Sequence, residues 1–221
     1  PLVHPIDGDR AAVLHQDLDA TIAALGDDGR AWDRLVGWAA RKWDVVGDVA
    51  LSPVLQVPRH PLALVGFGLR GLPPTTLAAR LFRGDEAKAR RAGSAAHSFL
   101  PLSRPLTTAM GITLLASAHA AGWPVPRGGS QAIVDAMAAK LRALGGQIET
   151  GRPVRSLAEL PPARAVLFDV TPRQLLEICG ESLPSGTRRH FRRFRYGPGV
   201  FKVDYALSEP VPWLNADARR A

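Results

Sequence analysis

The feature that most constrains this chain is a change of pattern at Gly122-Trp123-Pro124-Val125-Pro126-Arg127-Gly128-Gly129-Ser130. Before it, apolar residues recur at helical spacing. After it, short apolar runs of strand length alternate with helical patterns. A plain helical bundle lacks the second pattern, and a plain α/β domain lacks the first. The sequence therefore predicts a helical part and an α/β part in 221 residues, a length that admits one large domain or parts of two.

In the first half, Pro1 to Gly8 reads as a loop, and Asp9 as the cap of a helix running to about Leu25. A turn at Gly26-Asp27-Asp28-Gly29 precedes a second helix with Trp32, Leu35, Val36, Ala39, Trp43 and Val46 on one side. Leu51 to His60, with Pro53 and Pro58, is expected to be irregular or a short helix. Helices are also expected from Thr75 to Phe82, from Glu86 to about Ser98 with Asp85 as cap, and from Leu106 to Ala120. The last is built of small and apolar residues, so it should be well buried.

In the second half, Gly128-Gly129-Ser130 opens a helix whose apolar positions are Ile133, Val134, Met137, Leu141 and Leu144, and Gly145-Gly146 ends it. Strands are expected at Gln147–Thr150, Val154–Leu157 and Ala165–Val170, the last of the buried type. Thr171-Pro172 is a helix start, with a hydroxyl cap and proline in the first turn. A helix over Pro184–Phe194 and a strand over Val200–Leu207 complete the reading. The fold class is α/β, or α+β within these residues.

Composition narrows the function. Hydrophobic residues at 46% and charged residues at 22% are ordinary for a globular protein. The net charge is +8, carried mainly by arginine scattered along the chain. Aromatic content is 6%, which supplies base-stacking platforms poorly, so nucleic acid is not expected as a partner. Cys179 is the only cysteine, which rules out an intramolecular disulfide and suits a reducing compartment. The six histidines fit no metal-ligand spacing, and no metal is expected. No apolar run reaches the length of a membrane span. A cytoplasmic protein is expected, with peripheral membrane contact through Arg188, Arg189, Arg192, Arg193 and Arg195 as an open alternative to a solvated basic face.

Gly66-Phe67-Gly68-Leu69-Arg70-Gly71 matches G-x-G-x-x-G and follows Leu62-Ala63-Leu64-Val65. A dinucleotide site needs a helix to open at the glycines. Pro73 and Pro74 sit where that helix should continue. A close-packed apolar helix or turn is therefore the preferred reading.

Pro126-Arg127-Gly128-Gly129-Ser130, Leu141 through Gly145-Gly146-Gln147-Ile148, and Val154 together resemble the flavin-dependent (NAD(P)/FAD-dependent) oxidoreductases of the phytoene desaturase-like and amine oxidase-like superfamily. Ala165 to Pro172, and Gly199 to Leu207 with Pro210-Val211-Pro212-Trp213, extend the resemblance. It covers about Gly122 to Trp213 well and the helical half more loosely.

The resemblance implies FAD as cofactor, a lipophilic substrate such as a polyene, and hydride transfer to the flavin. Val154 is the implied contact to the adenine end of FAD. Thr171 and Pro172 are implied in the same domain, and Gly128 and Gly129 lie at its junction with the substrate domain or near the flavin. No catalytic side chain carries over. On this basis residues 1–121 are expected as a helical substrate domain, 122–180 as part of a Rossmann-like FAD-binding domain, and 181–221 as a return to the substrate domain. The chain is expected to be an internal fragment, because the family's N-terminal G-x-G-x-x-G and C-terminal flavin segment are not found in it. The rival reading is a non-enzymatic helical module that binds an apolar ligand or a membrane surface.

Overall fold

The computed structural model describes residues 2–53 and 57–220. Contacts divide the chain into two compact units, Pro1–Pro124 with Val203–Ala221, and Val125–Lys202.

The first unit begins with an antiparallel hairpin, β1 (Leu2–Asp7) and β2 (Arg10–Leu14). Leu2 faces Leu14 and His4 faces Ala12, with a bulge between Pro5 and Asp7. The expected loop and the first part of the expected helix are thus a hairpin. Gly8 takes a positive φ of 48°, which turns the chain tightly. Ala12 and Leu14, two residues apart, are both buried, which is the period of a strand. The helix starts only at α1 (Leu18–Ala24), where the Asp17 side chain accepts from Ala20 N at 2.9 Å.

A helical run follows as α2 (Gly29–Trp32), a π-helical stretch (Asp33–Gly37) and α3 (Trp38–Arg41), and leads to α4 (Trp43–Leu51). Trp32, Leu35, Val36, Ala39 and Val46 are buried, as their spacing predicts. Residues 54–56 of the expected irregular segment lie outside the described residues. Beyond them come α5 (Pro61–Gly71), α6 (Thr75–Ala78), α7 (Asp85–Ala96) and α8 (Thr107–Ala120).

The core gathers Leu14, Trp32, Val36, Phe82, Ile112 and Leu115 around α8. Small residues let the helices approach α8 closely. A Cβ on Gly71 would lie 2.8 Å from that of Ala109, and one on Gly111 would lie 3.4 Å from that of Ala95. Several polar groups in this core pair across elements. Thr107 Oγ1 accepts from Thr75 N at 3.0 Å, and buried Asp28 accepts from the N–H groups of Arg83 (2.9 Å) and Gly84 (2.7 Å). His119 is fixed by Trp32 Nε1, which donates to its Nε2 at 3.3 Å, and by the Gln16 carbonyl 3.1 Å from its Nδ1. The first ring nitrogen accepts, so the second carries the proton and donates. At the far end of the unit, Asn215 Nδ2 donates to the Asp9 carbonyl at 2.6 Å.

The second unit holds α9 (Gln131–Ala143), α10 (Pro172–Cys179) and α11 (Ser185–Arg192). All three helices lie where the sequence predicts them. Gly145 stops α9 at φ +86°, and Gly146 N donates to the Leu141 carbonyl at 3.0 Å.

The expected strands at 147–150, 154–157, 165–170 and 200–207 are absent, and Leu157–Glu159 is a single 3₁₀ turn. The protein is mostly helical, with one antiparallel pair among the described residues, so the parallel sheet of an α/β domain is not formed in them. A strand exists only when a neighbour completes its hydrogen-bond ladder, and among the described residues the only ladder is that of β1 and β2. Their apolar side chains face water instead: Leu167 is 95% exposed and Phe201 92%.

Candidate functional site

A cavity of about 310 Å³ in the first unit lies between α4, α5 and the start of α8. Its apolar wall includes Val49, Leu64, Phe67, Leu106 and Ala109. Its rim carries Asp48 and His60, with 3.8 Å between carboxylate Oδ2 and imidazole Nε2. A broader cleft of about 750 Å³, edged by Arg30, Arg34 and Arg83, is less enclosed, and its buried carboxylate, Asp28, is already held by two backbone amides. Among the two, the smaller cavity has the mostly apolar, few-polar-group character of a small-molecule site.

The glycine motif explains how that cavity arises. Gly66-Phe67-Gly68-Leu69-Arg70-Gly71 lies inside α5, whose amides serve the helix. Each glycine meets different surroundings. A Cβ on Gly66 would come within 2.9 Å of the Trp38 ring, and one on Gly71 would press on Ala109. A Cβ on Gly68 would meet nothing within 4 Å, and Gly68 lines the cavity. The motif therefore packs a helix on two sides and leaves a gap between, rather than cradling a phosphate.

Leu106, on the cavity wall, adopts φ +69°, a left-handed conformation that a leucine rarely takes. Its N–H donates to the Leu72 carbonyl at 3.0 Å, which ties the start of α8 to the end of α5. Strain of this kind, about 1–3 kcal/mol, persists only where its surroundings enforce it. The reading of 66–71 as a close-packed apolar helix or turn admitted α5 but not the hollow beside it.

The residues expected at a flavin site all lie in the second unit. Gly128 and Gly129 precede α9 with φ of 86° and 78°. Gly129 N donates to the Pro126 carbonyl at 3.0 Å, and a Cβ on Gly129 would meet nothing within 4 Å. Glycine is needed there for the backbone angle, not for close approach. Thr171 and Pro172 adjoin at the start of α10. The Thr171 side chain accepts from Gln174 N at 3.4 Å, and Thr171 N donates back to Gln174 Oε1 at 3.0 Å, a capping box. Arg173 N donates to the Tyr196 hydroxyl at 3.2 Å. The neighbouring Thr171 side chain, first, and the Arg173 N–H, second, hold the Tyr196 phenol below its usual 10.

Val154 is half-buried in a loop braced by Arg152, which pairs with Glu149 at 2.7 Å and donates to the Glu159 carbonyl. No hydrogen bond joins Val154 to the Gly128-Gly129 turn or to Thr171. As a cradle for FAD these residues fit incompletely. Pro172 has no N–H, the next two amides of α10 are engaged, and none of the orphaned buried polar side-chain atoms of the described residues lies in 125–202. Cys179, the buried residue of α10, is a free thiol. Among the described residues no group of three or more His, Cys, Asp or Glu is placed to hold a metal ion, and no helix is long and apolar enough to cross a membrane.

No protein-family model, curated protein or solved structure matches the chain.

Proposed function

We propose that this chain contributes the substrate-covering part of an FAD-dependent oxidoreductase of the phytoene dehydrogenase-like kind, acting on a lipophilic substrate. The cavity between α4, α5 and α8 is the observation that carries the substrate half of this reading. The segments 126–130, 141–148, 154, 165–172 and 199–213 support the flavin half by resemblance alone. Leu64, Phe67 and Leu106 would exclude water around an apolar chain, since burying such surface is worth about 25 cal/mol per Å². Asp48 and His60 at the rim would meet a polar end of the substrate. FAD, when bound, would accept the hydride. Val154, Gly128, Gly129, Thr171 and Pro172 would border it, in a cradle that residues 125–202 do not complete by themselves.

The uncovered apolar side chains of 165–170 and 200–207 favour the same reading, because such runs await neighbouring strands. A cytoplasmic setting goes with the lone unpaired cysteine. A second reading, a binding module without redox chemistry, shares the cavity. It gains from α11 and the residues after it, where Arg188, Arg189, Arg192, Arg193 and Arg195 form a basic run suited to an anionic membrane surface.

The test uses Gly68→Leu. The new side chain enters open space, removes a helix-interior glycine and fills the cavity, so the fold should survive. Fluorescence titration with a conjugated polyene should show saturable binding to the wild type and at least a tenfold loss in the variant. Equal binding by both proteins, or none by the wild type, would remove the substrate half. Flavin absorbance retained by the full-length gene product supports the oxidoreductase, and a colourless product that FAD does not reconstitute leaves the binding module.

A further inference from the structure

Helix α7 carries two arginines into the first unit's interior, where Glu86 acts on Arg90 only through space. Arg90 is 2% exposed and Arg91 3%. Neither is in an ion pair, and Arg90 Nε and Nη1 and Arg91 Nη1 are buried without a hydrogen-bond partner. Arg90 lies 5.5 Å over the Trp32 ring, and Arg91 lies 5.0 Å over the ring of Phe82. Aromatic faces moderate the charge but accept N–H groups only weakly. The carboxylate of Glu86, one turn before Arg90, is 3.5 Å from Arg10 on the hairpin.

Two more orphans lie on α7 and on the hairpin strand packed against it. Ser94, one turn further along the same face, has a buried hydroxyl with no partner. His4 on β1 packs its ring on Gly93, where a Cβ would lie 2.8 Å from Nε2, and leaves Nδ1 buried and unpartnered. The charge of Arg90 also reaches His4, holding its imidazole below the usual value, after burial itself. Every unpaired group here can donate a hydrogen bond, and a buried, unpaired cation is costly.

We propose that Arg90, Ser94 and His4 form a buried site for a small anion of halide size between α7 and the hairpin. The anion accepts from Arg90 Nε and Nη1, from the Ser94 hydroxyl and from His4 Nδ1–H, and Arg91 adds positive potential from the adjoining face. Occupancy would pin β1 to α7, making the stability of the first unit depend on the anion present.

The probe is bromide. Crystals of the protein grown in sodium bromide should give an anomalous peak within hydrogen-bond distance of Arg90 and Ser94. In solution, bromide replacing a bulky organic anion at constant ionic strength should raise the melting temperature saturably. Ser94→Ala, which removes one donor to a charged acceptor, should move the bromide midpoint up about tenfold. An ordered water in place of the peak, or melting curves with the same bromide dependence in both proteins, would overturn the proposal. The crystal experiment stands on the wild type alone, so a variant that fails to fold does not shelter it.

Discussion

Helices α8 and α9 are nearly equal in length, 14 and 13 residues, and both are rich in alanine and aliphatic side chains. In α8 the residues Thr107, Ile112, Leu115 and Ala116 vanish into the core of the first unit. In α9 no residue is buried, and Met137 stands 68% exposed. The contrast separates two causes of a helix. Helix α8 is held by what packs on it. Helix α9 is marked by its ends: left-handed glycines before it and a glycine stop after it. Local signals delimit a helix, but only a partner surface gives it most of its stability.

The sharpest way to break this comparison is to truncate one side chain in each helix. Leu115→Ala should cost about 2–5 kcal/mol, the price of a cavity in a closed core. Met137→Ala should change stability by less than about 0.5 kcal/mol, because its side chain is already in water. Urea unfolding followed by circular dichroism measures both. A large loss for Met137→Ala would mean that the apolar face of α9 is covered in solution.

The same contrast explains what was legible in the sequence. The helical run through Trp32, Val36 and Ala39 was readable because these residues repeat at helical spacing, and the helix over 107–120 because small and apolar residues such as Ile112 and Leu115 suit a buried one; all five are in fact buried. The Thr171-Pro172 start was readable because capping is local chemistry between neighbours. The hairpin was not, since Ala11-Ala12-Val13-Leu14 offers apolar residues to either period and Gly8 decides the turn. The strands at 165–170 and 200–207 had the right composition, but pairing is a property of two segments and composition describes one. Of the candidate site, Gly68 was visible only as part of a glycine motif. Its role depends on Trp38 and Ala109 closing on its neighbours, which no local pattern encodes.

Acid should act next, and on the first unit, where two imidazoles are held below the ordinary value of 6.5. Burial is the main cause for both His4 and His119, and the nearby Arg90 adds to each. For His119 the Gln16 carbonyl opposes the shift without reversing it. Below about pH 6.5 the unfolded chain binds these protons and the folded chain does not, so stability falls as pH drops toward the folded values and is flat above. Melting temperatures followed from about pH 8 to 5 should show that slope. His119→Gln should reduce it, and an unchanged slope in that variant would place the acid sensitivity elsewhere.

The smallest effect tests whether the second unit is as local as its exposure implies. Thr171→Ala removes the hydroxyl that accepts from Gln174 N and leaves Pro172 and the rest of α10 in place. The cost should be about 1 kcal/mol, confined to that helix. Amide exchange in α10 should therefore quicken about fivefold while the amides of α8 stay as they are. The Tyr196 phenol should report the same change optically. Thr171 is the first cause of its lowered titration, so the variant should move it up toward the ordinary 10. If exchange in α8 quickened as well, the two units would be energetically joined, and the cap would matter beyond the helix it begins.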